Sequence, residues 1–118
     1  MVRSLSELRT QADEEVAKAA GSDNQAARPF YDPAAALLAA LRFYAQERGF
    51  DDRWVQGVVA AGNRDAMTGV ARALRQQGDI DSTTAAEWIG EVVRMRGLRE
   101  RRCVMATANI TLWRLSTS

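Results

Sequence analysis

The chain has 118 residues, of which 47% are apolar, enough for one hydrophobic core and a single domain over residues 1–118. Its net charge of +1 excludes a strongly basic or acidic surface, although residues 1–52 carry six basic and nine acidic side chains and residues 53–118 carry ten basic and six acidic ones. The absence of histidine excludes histidine-based acid/base catalysis, histidine-activated nucleophiles and histidine metal sites.

Cys103 is the single cysteine, so no disulfide can form within the chain. The residue pattern predicts neither a signal peptide nor a membrane-spanning segment. The chain is therefore expected to be soluble and cytoplasmic, or to be incorporated in a particle.

Residues 1–20 are predicted to form an N-terminal helix. Ser4 and Glu7 have the spacing of a capping box, and a thin apolar stripe follows at helical spacing. The stripe consists of Leu5, Leu8, Ala12, Val16 and Ala19. Such a helix either packs on its own domain or forms a partly detached arm that binds a partner. Residues 21–31 are predicted to be a polar linker.

Residues 32–97 are predicted to form a helical core in which the first helix is apolar on most of its circumference. Asp32 is expected to cap this helix and Pro33 to occupy its first position. A helix of this kind belongs at the centre of a bundle. The later helices are expected to start at Asp51 or Asp52, at Asn63 or Asp65, and between Asp79 and Thr84, and to end at Gly62, Gly78 and Gly97.

Residues 98–118 are predicted to form a basic turn and a C-terminal tail. From residue 104 the apolar side chains alternate, which favours an extended segment, in β-strand pairing or along the surface. The alternating residues are Val104, Ala106, Ala108, Ile110 and Leu112. A helix with Val104, Ala108, Thr111 and Leu115 on one side is the alternative. The predicted fold is thus mostly α, a compact bundle of about five helices with an extended C-terminal segment.

Residues 41–60 have the spacing of a helix-turn-helix, with Ala45 in the first helix and Gly49 at the turn. The side chains that could reach DNA are Arg53, Gln56 and Asn63. However, Asp51 and Asp52 would bring negative charge towards the phosphates. The pattern therefore favours two core helices joined at a glycine, with a DNA-binding regulator as the alternative function.

An arginine cluster lies near the C-terminus, and its guanidinium groups suit a carboxylate surface or a phosphate backbone. It consists of Arg94, Arg96, Arg99, Arg101 and Arg102. Glu87 and Glu91 are one helical turn apart, but two carboxylates alone make a weak cation site, and we interpret them as solvent-exposed. No catalytic residue, metal site or cofactor site is predicted.

These patterns predict a non-enzymatic protein–protein interaction module. It is either a structural or assembly subunit, as in a phage or secretion particle, or a protein inhibitor or adaptor. Self-association or a protein partner is expected, nucleic acid is the less favoured partner, and neither a membrane nor a small-molecule substrate is inferred. The predicted contact residues are the arginine cluster with Ile110, Leu112 and Trp113.

Overall fold

The computed structural model describes residues 3–20, 29–95 and 97–117, and most of these residues are helical. Within these ranges the chain forms six helices and no strand: α1 (Leu5–Ala20), α2 (Tyr31–Arg48), α3 (Asp52–Ala61), α4 (Arg64–Gln77), α5 (Ile80–Val93) and α6 (Leu98–Thr117). The predicted all-α class is confirmed. The Cα radius of gyration, 13.2 Å, is close to the roughly 13 Å of a compact chain of this length.

The helix α2 lies at the centre of the bundle and contacts each of the other five helices. Eleven of its side chains are buried, and six of these are alanine, which lets neighbouring helices approach closely. The buried set is Ala34, Ala35, Ala36, Leu37, Leu38, Ala39, Ala40, Leu41, Arg42, Phe43 and Ala45. Arg42 is the only charged member. The prediction that this mostly apolar helix lies at the centre of the bundle is therefore confirmed.

The first helix packs on the core and is not a detached arm. Its whole predicted stripe, from Leu5 to Ala19, is buried, and α2 is its main neighbour. Ser4 caps this helix, because the backbone N–H of Glu7 donates to Ser4 Oγ at 3.2 Å, and the Ser4 hydroxyl donates to the Glu7 carboxylate at 3.2 Å. The residues at its N-terminus therefore start this helix, and its apolar stripe determines which side faces the core.

Glycines and polar caps form the connections between α2, α3 and α4. Gly49 and Gly62 adopt left-handed φ angles of 76° and 58°, which favour glycine, and each ends a helix. The side chain of Asp51 then accepts hydrogen bonds from two backbone N–H groups at the start of α3, and Asn63 does the same for α4. These predicted boundaries are confirmed.

Two predicted helix boundaries require correction, one start and one end. The residue that caps α2 is Phe30, without a side-chain hydrogen bond, so Asp32 lies inside the first turn and does not cap the helix. The helix α5 starts after Asp79, within the predicted range, but it ends at Val93 and not at Gly97. Of the predicted linker 21–31, residues 21–28 lie outside the described part of the chain.

The predicted extended C-terminal segment is wrong, since residues 98–117 form α6, which packs mainly against α1, α2 and α3. Its buried side chains follow a helical repeat: Val104, Ala108, Thr111 and Leu112. Threonine is tolerated in this helix because the hydroxyls of Thr107 and Thr111 each donate to the carbonyl four residues earlier, at 2.8 Å. Packing against three helices thus overrides the β propensity of this sequence.

The N-terminus of α5 makes part of the stability dependent on pH. The Asp79 carboxylate accepts a hydrogen bond from the backbone N–H of Ser82 at 3.0 Å. The hydrogen bonds that Ser82 offers, through its side chain and its backbone, lower the pKa of Asp79 below its usual value of 3.8. Because the folded-state pKa is the lower one, the ionised carboxylate stabilises the fold above pH 3.8, and this contribution is lost as the pH falls through the folded-state pKa.

Asp79→Asn retains a capping side chain that does not titrate. Between about pH 5 and pH 2 we expect the melting temperature of the wild type to fall more steeply than that of this variant. Circular dichroism melts of both proteins across this range measure the difference. Parallel decreases would show that the Asp79 cap contributes no pH-dependent stability.

Candidate functional site

The solvent-facing side of α6 carries large apolar side chains beside arginines. Opposite the buried residues of this helix lie Arg99, Arg102, Ala106, Ile110 and Trp113, which we call the α6 outer face. Ile110 is 49% exposed and Trp113 is 61% exposed. These two residues are three apart and therefore neighbours on the helix surface, with the two arginines two to three turns towards the N-terminus.

Among the described residues, five large apolar side chains are exposed, and they lie in different parts of the fold. The ring of Phe50 lies 5.2 Å from that of Trp54 and 6.4 Å from that of Tyr44, so it belongs to an aromatic cluster at the α2–α3 turn. Leu115 lines grooves beside α1 and α3. The other three exposed side chains are Ile80 on α5 and Ile110 and Trp113 on α6.

The fold divides the predicted arginine cluster. Arg94 ends α5, and its guanidinium lies against Gly90, where a Cβ atom would come within 2.6 Å of Nη1. Arg99 and Arg102 are exposed on α6, whereas Arg101 is half-buried. Arg96 lies outside the described residues. The cluster is therefore not one continuous surface.

Three of the predicted contact residues lie in other environments than the α6 surface alone. Arg101 and Arg102 line a groove of about 320 Å³ between the end of α3 and α6, where Val59 and Met105 provide apolar walls. Leu112 is only 4% exposed and belongs to the hydrophobic core. Of the predicted apolar contact residues, the fold thus places Ile110 and Trp113 at the surface.

The candidate DNA-binding residues lie on or just after α3. Asn63 Oδ1 accepts hydrogen bonds from the backbone N–H groups of Asp65 at 3.0 Å and Ala66 at 3.2 Å, so this side chain serves as a helix cap. Arg53 is exposed next to two exposed aspartates, and Gln56 is half-buried. The three residues thus do not form a uniformly basic surface.

A buried charged centre joins α1, α2 and α3. The Arg42 side chain is 7% exposed and donates to both carboxylate oxygens of Glu15, which is 15% exposed. Arg42 Nε lies 3.6 Å from Asp52 Oδ1, and among the described residues it has no hydrogen-bond partner. Sequence reasoning missed this pair, although one arginine within an alanine- and leucine-rich run was the available signal.

The described residues contain no group of three side chains arranged to hold a metal ion, and the thiol of Cys103 is half-buried and not in a disulfide. No helix in this part of the chain combines the length and apolar character needed to cross a membrane. The chain matches no protein family, no curated protein and no solved structure with which it was compared.

Proposed function

We propose that this chain is a non-enzymatic protein–protein interaction module that acts as a small assembly subunit and makes contact through the α6 outer face. The observation that carries the proposal is the exposure of Ile110 and Trp113 on a helix whose other side is well packed. Burial of one large apolar side chain contributes roughly 1.5–3 kcal/mol, so this face has a substantial driving force for association.

The residue types of this face also suit a protein partner. Tryptophan and arginine are the residues most enriched among those that dominate binding energy at interfaces. Arg99 and Arg102 lie on the same face, towards the N-terminus of α6. Their guanidinium groups can form charge-assisted hydrogen bonds with carboxylates. A partner surface that is partly apolar and partly acidic would complement the α6 outer face.

A second copy of the chain is the partner we favour. The net charge of +1 gives little long-range repulsion between copies. Charged side chains of both signs occur in both halves of the sequence, so one copy can offer a second copy basic and acidic groups. The inhibitor or adaptor form of the proposal differs only in the partner.

The DNA-binding regulator based on residues 41–60 stays a prediction with weaker support. Asp51 and Asp52 are exposed beside Arg53, and the Asn63 side chain is engaged as a cap. A phosphate-binding protein would lose affinity steeply as the salt concentration rises. Titration with random duplex DNA at low salt is expected to give no binding.

The assembly proposal is tested by sedimentation equilibrium across a range of protein concentrations. We expect the average mass of the wild type to rise with concentration, and the Ile110→Ala/Trp113→Ala double variant to associate at least tenfold more weakly. Leu115→Ala, on the opposite side of the same helix, is the matched control and should associate like the wild type. A wild type that stays monomeric up to millimolar concentration would contradict the proposal.

A further inference from the structure

The helix α5 carries a second solvent-facing surface, of opposite charge. Ile80 is 84% exposed, and Glu87 and Glu91 are exposed at positions seven and eleven residues later. These offsets are close to two and three turns, so the three side chains share one side of the helix. We call them the α5 outer face. The opposite side of α5 is buried and contacts α2 and α4.

The two outer faces have the same spacing in opposite order. On α5 the apolar residue comes first and Glu91 follows eleven residues later, whereas on α6 Arg99 comes first and Ile110 follows eleven residues later. Eleven residues span about 16 Å along a helix. In antiparallel register, Arg99 lies opposite Glu91 while Ile110 lies opposite Ile80.

The inner residues of the two faces agree with this register. Arg102 is three residues after Arg99, and Glu87 is four residues before Glu91. In the same register Arg102 therefore lies opposite Glu87. Trp113 extends one turn past Ile110 and covers the end of the apolar contact. Each charge on one face thus has an opposite charge on the other, and the apolar ends coincide.

The charges of the whole helices favour pairing between unlike faces. Among its residues α6 has four arginines and one glutamate, whereas α5 has one aspartate, two glutamates and no basic residue. Arg94 follows the last residue of α5 and adds one positive charge at the C-terminal end of this helix, where its guanidinium lies against Gly90. Two α6 faces would repel one another, and so would two α5 faces, which disfavours a symmetric contact between identical surfaces.

We propose that the α6 outer face of one copy docks in antiparallel orientation on the α5 outer face of a second copy. This inference rests on the proposed function and names the partner surface. Such a contact is heterologous when it forms once between two copies, so a copy bound through one face keeps its other face free and the assembly grows into a ring or an open filament. Such growth suits a subunit of a repeated assembly.

Charge reversal on each face tests the pairing. The first variant carries Arg99→Glu and Arg102→Glu, and the second carries Glu87→Arg and Glu91→Arg. Each alone should associate at least tenfold more weakly than the wild type, because like charges then face one another. An equimolar mixture should recover association, since the first variant keeps the native α5 face and the second keeps the native α6 face.

Sedimentation equilibrium measures these masses, and Arg72→Glu with Arg75→Glu on the exposed side of α4 gives the matched control for the first variant. If only the first variant loses association and mixing restores nothing, the α6 proposal stands and the α5 pairing is overturned. A monomeric wild type at every concentration overturns both. Circular dichroism verifies folding, and should a reversal variant fail to fold, Glu87→Gln with Glu91→Gln removes the same charges with side chains of nearly the same shape.

Discussion

Glu15→Ala is expected to lower the free energy of unfolding by about 3–5 kcal/mol, because it leaves the buried guanidinium of Arg42 without its carboxylate. Arg42 is 7% exposed, so water cannot fully replace the lost partner. The second acidic neighbour, Asp52, lies 3.6 Å from Nε and is too distant for a hydrogen bond. Urea denaturation at neutral pH measures the change.

The matched control is Glu14→Ala, which removes an exposed carboxylate from the same helix and should change the stability by no more than about 0.5 kcal/mol. A double variant, Glu15→Leu with Arg42→Met, removes both charges and fills their space with apolar atoms. It should be more stable than Glu15→Ala, since a buried ion pair is replaced more easily than it is broken. Equal losses for Glu14→Ala and Glu15→Ala would show that water screens the pair.

The buried ion pair also specifies how α1 sits on the bundle. The apolar stripe of α1 from Leu5 to Ala19 would tolerate small shifts along α2, whereas two hydrogen bonds between Glu15 and Arg42 fix one position. Arg9 adds an ion pair to Asp32 at the start of α2. We infer that the polar contacts determine register while apolar burial provides most of the stability.

The sequence predicted best those features that depend on neighbouring residues. The turns at Gly49 and Gly62, together with the caps Asp51 and Asn63, were correctly placed because a helix end and the next helix start lie within a few residues. Contacts between distant residues left no such signal. Arg42 and Glu15 are 27 residues apart, so only the folded chain reveals that they meet.

The candidate site was predictable only in part, for the same reason. Ile110 and Trp113 were named from the sequence, but their exposure depends on which side of α6 the core covers. The α5 outer face gave a weaker signal: Glu87 and Glu91 were expected to be exposed, yet the exposure of Ile80 on the same side appears only in the fold.

The C-terminal segment was mispredicted because two periodicities coincide there. Val104, Ala108 and Leu112 are spaced by four, which satisfies both the alternation of a strand and the repeat of a helix. Residues 110 and 111 distinguish the two structures. In a strand Ile110 shares the buried side with Leu112, whereas in α6 Ile110 is exposed and Thr111 is buried.

Leu112→Ala should therefore lower the free energy of unfolding by about 2–5 kcal/mol, because it opens a cavity between α6 and the helices beneath it. Ile110→Ala should cost less than about 1 kcal/mol, since that side chain is 49% exposed. Urea denaturation of both variants at a protein concentration low enough to exclude association isolates the stability of one copy.

The comparison of these two variants decides between the two conformations of the segment. A strand would place both side chains on its covered side, so their replacement by alanine would cost similar amounts. The helix makes them unequal, because residue 112 is two positions further round a 3.6-residue turn and faces the core. Equal losses would contradict the packing of α6, and with it the orientation that turns Ile110 and Trp113 towards solvent.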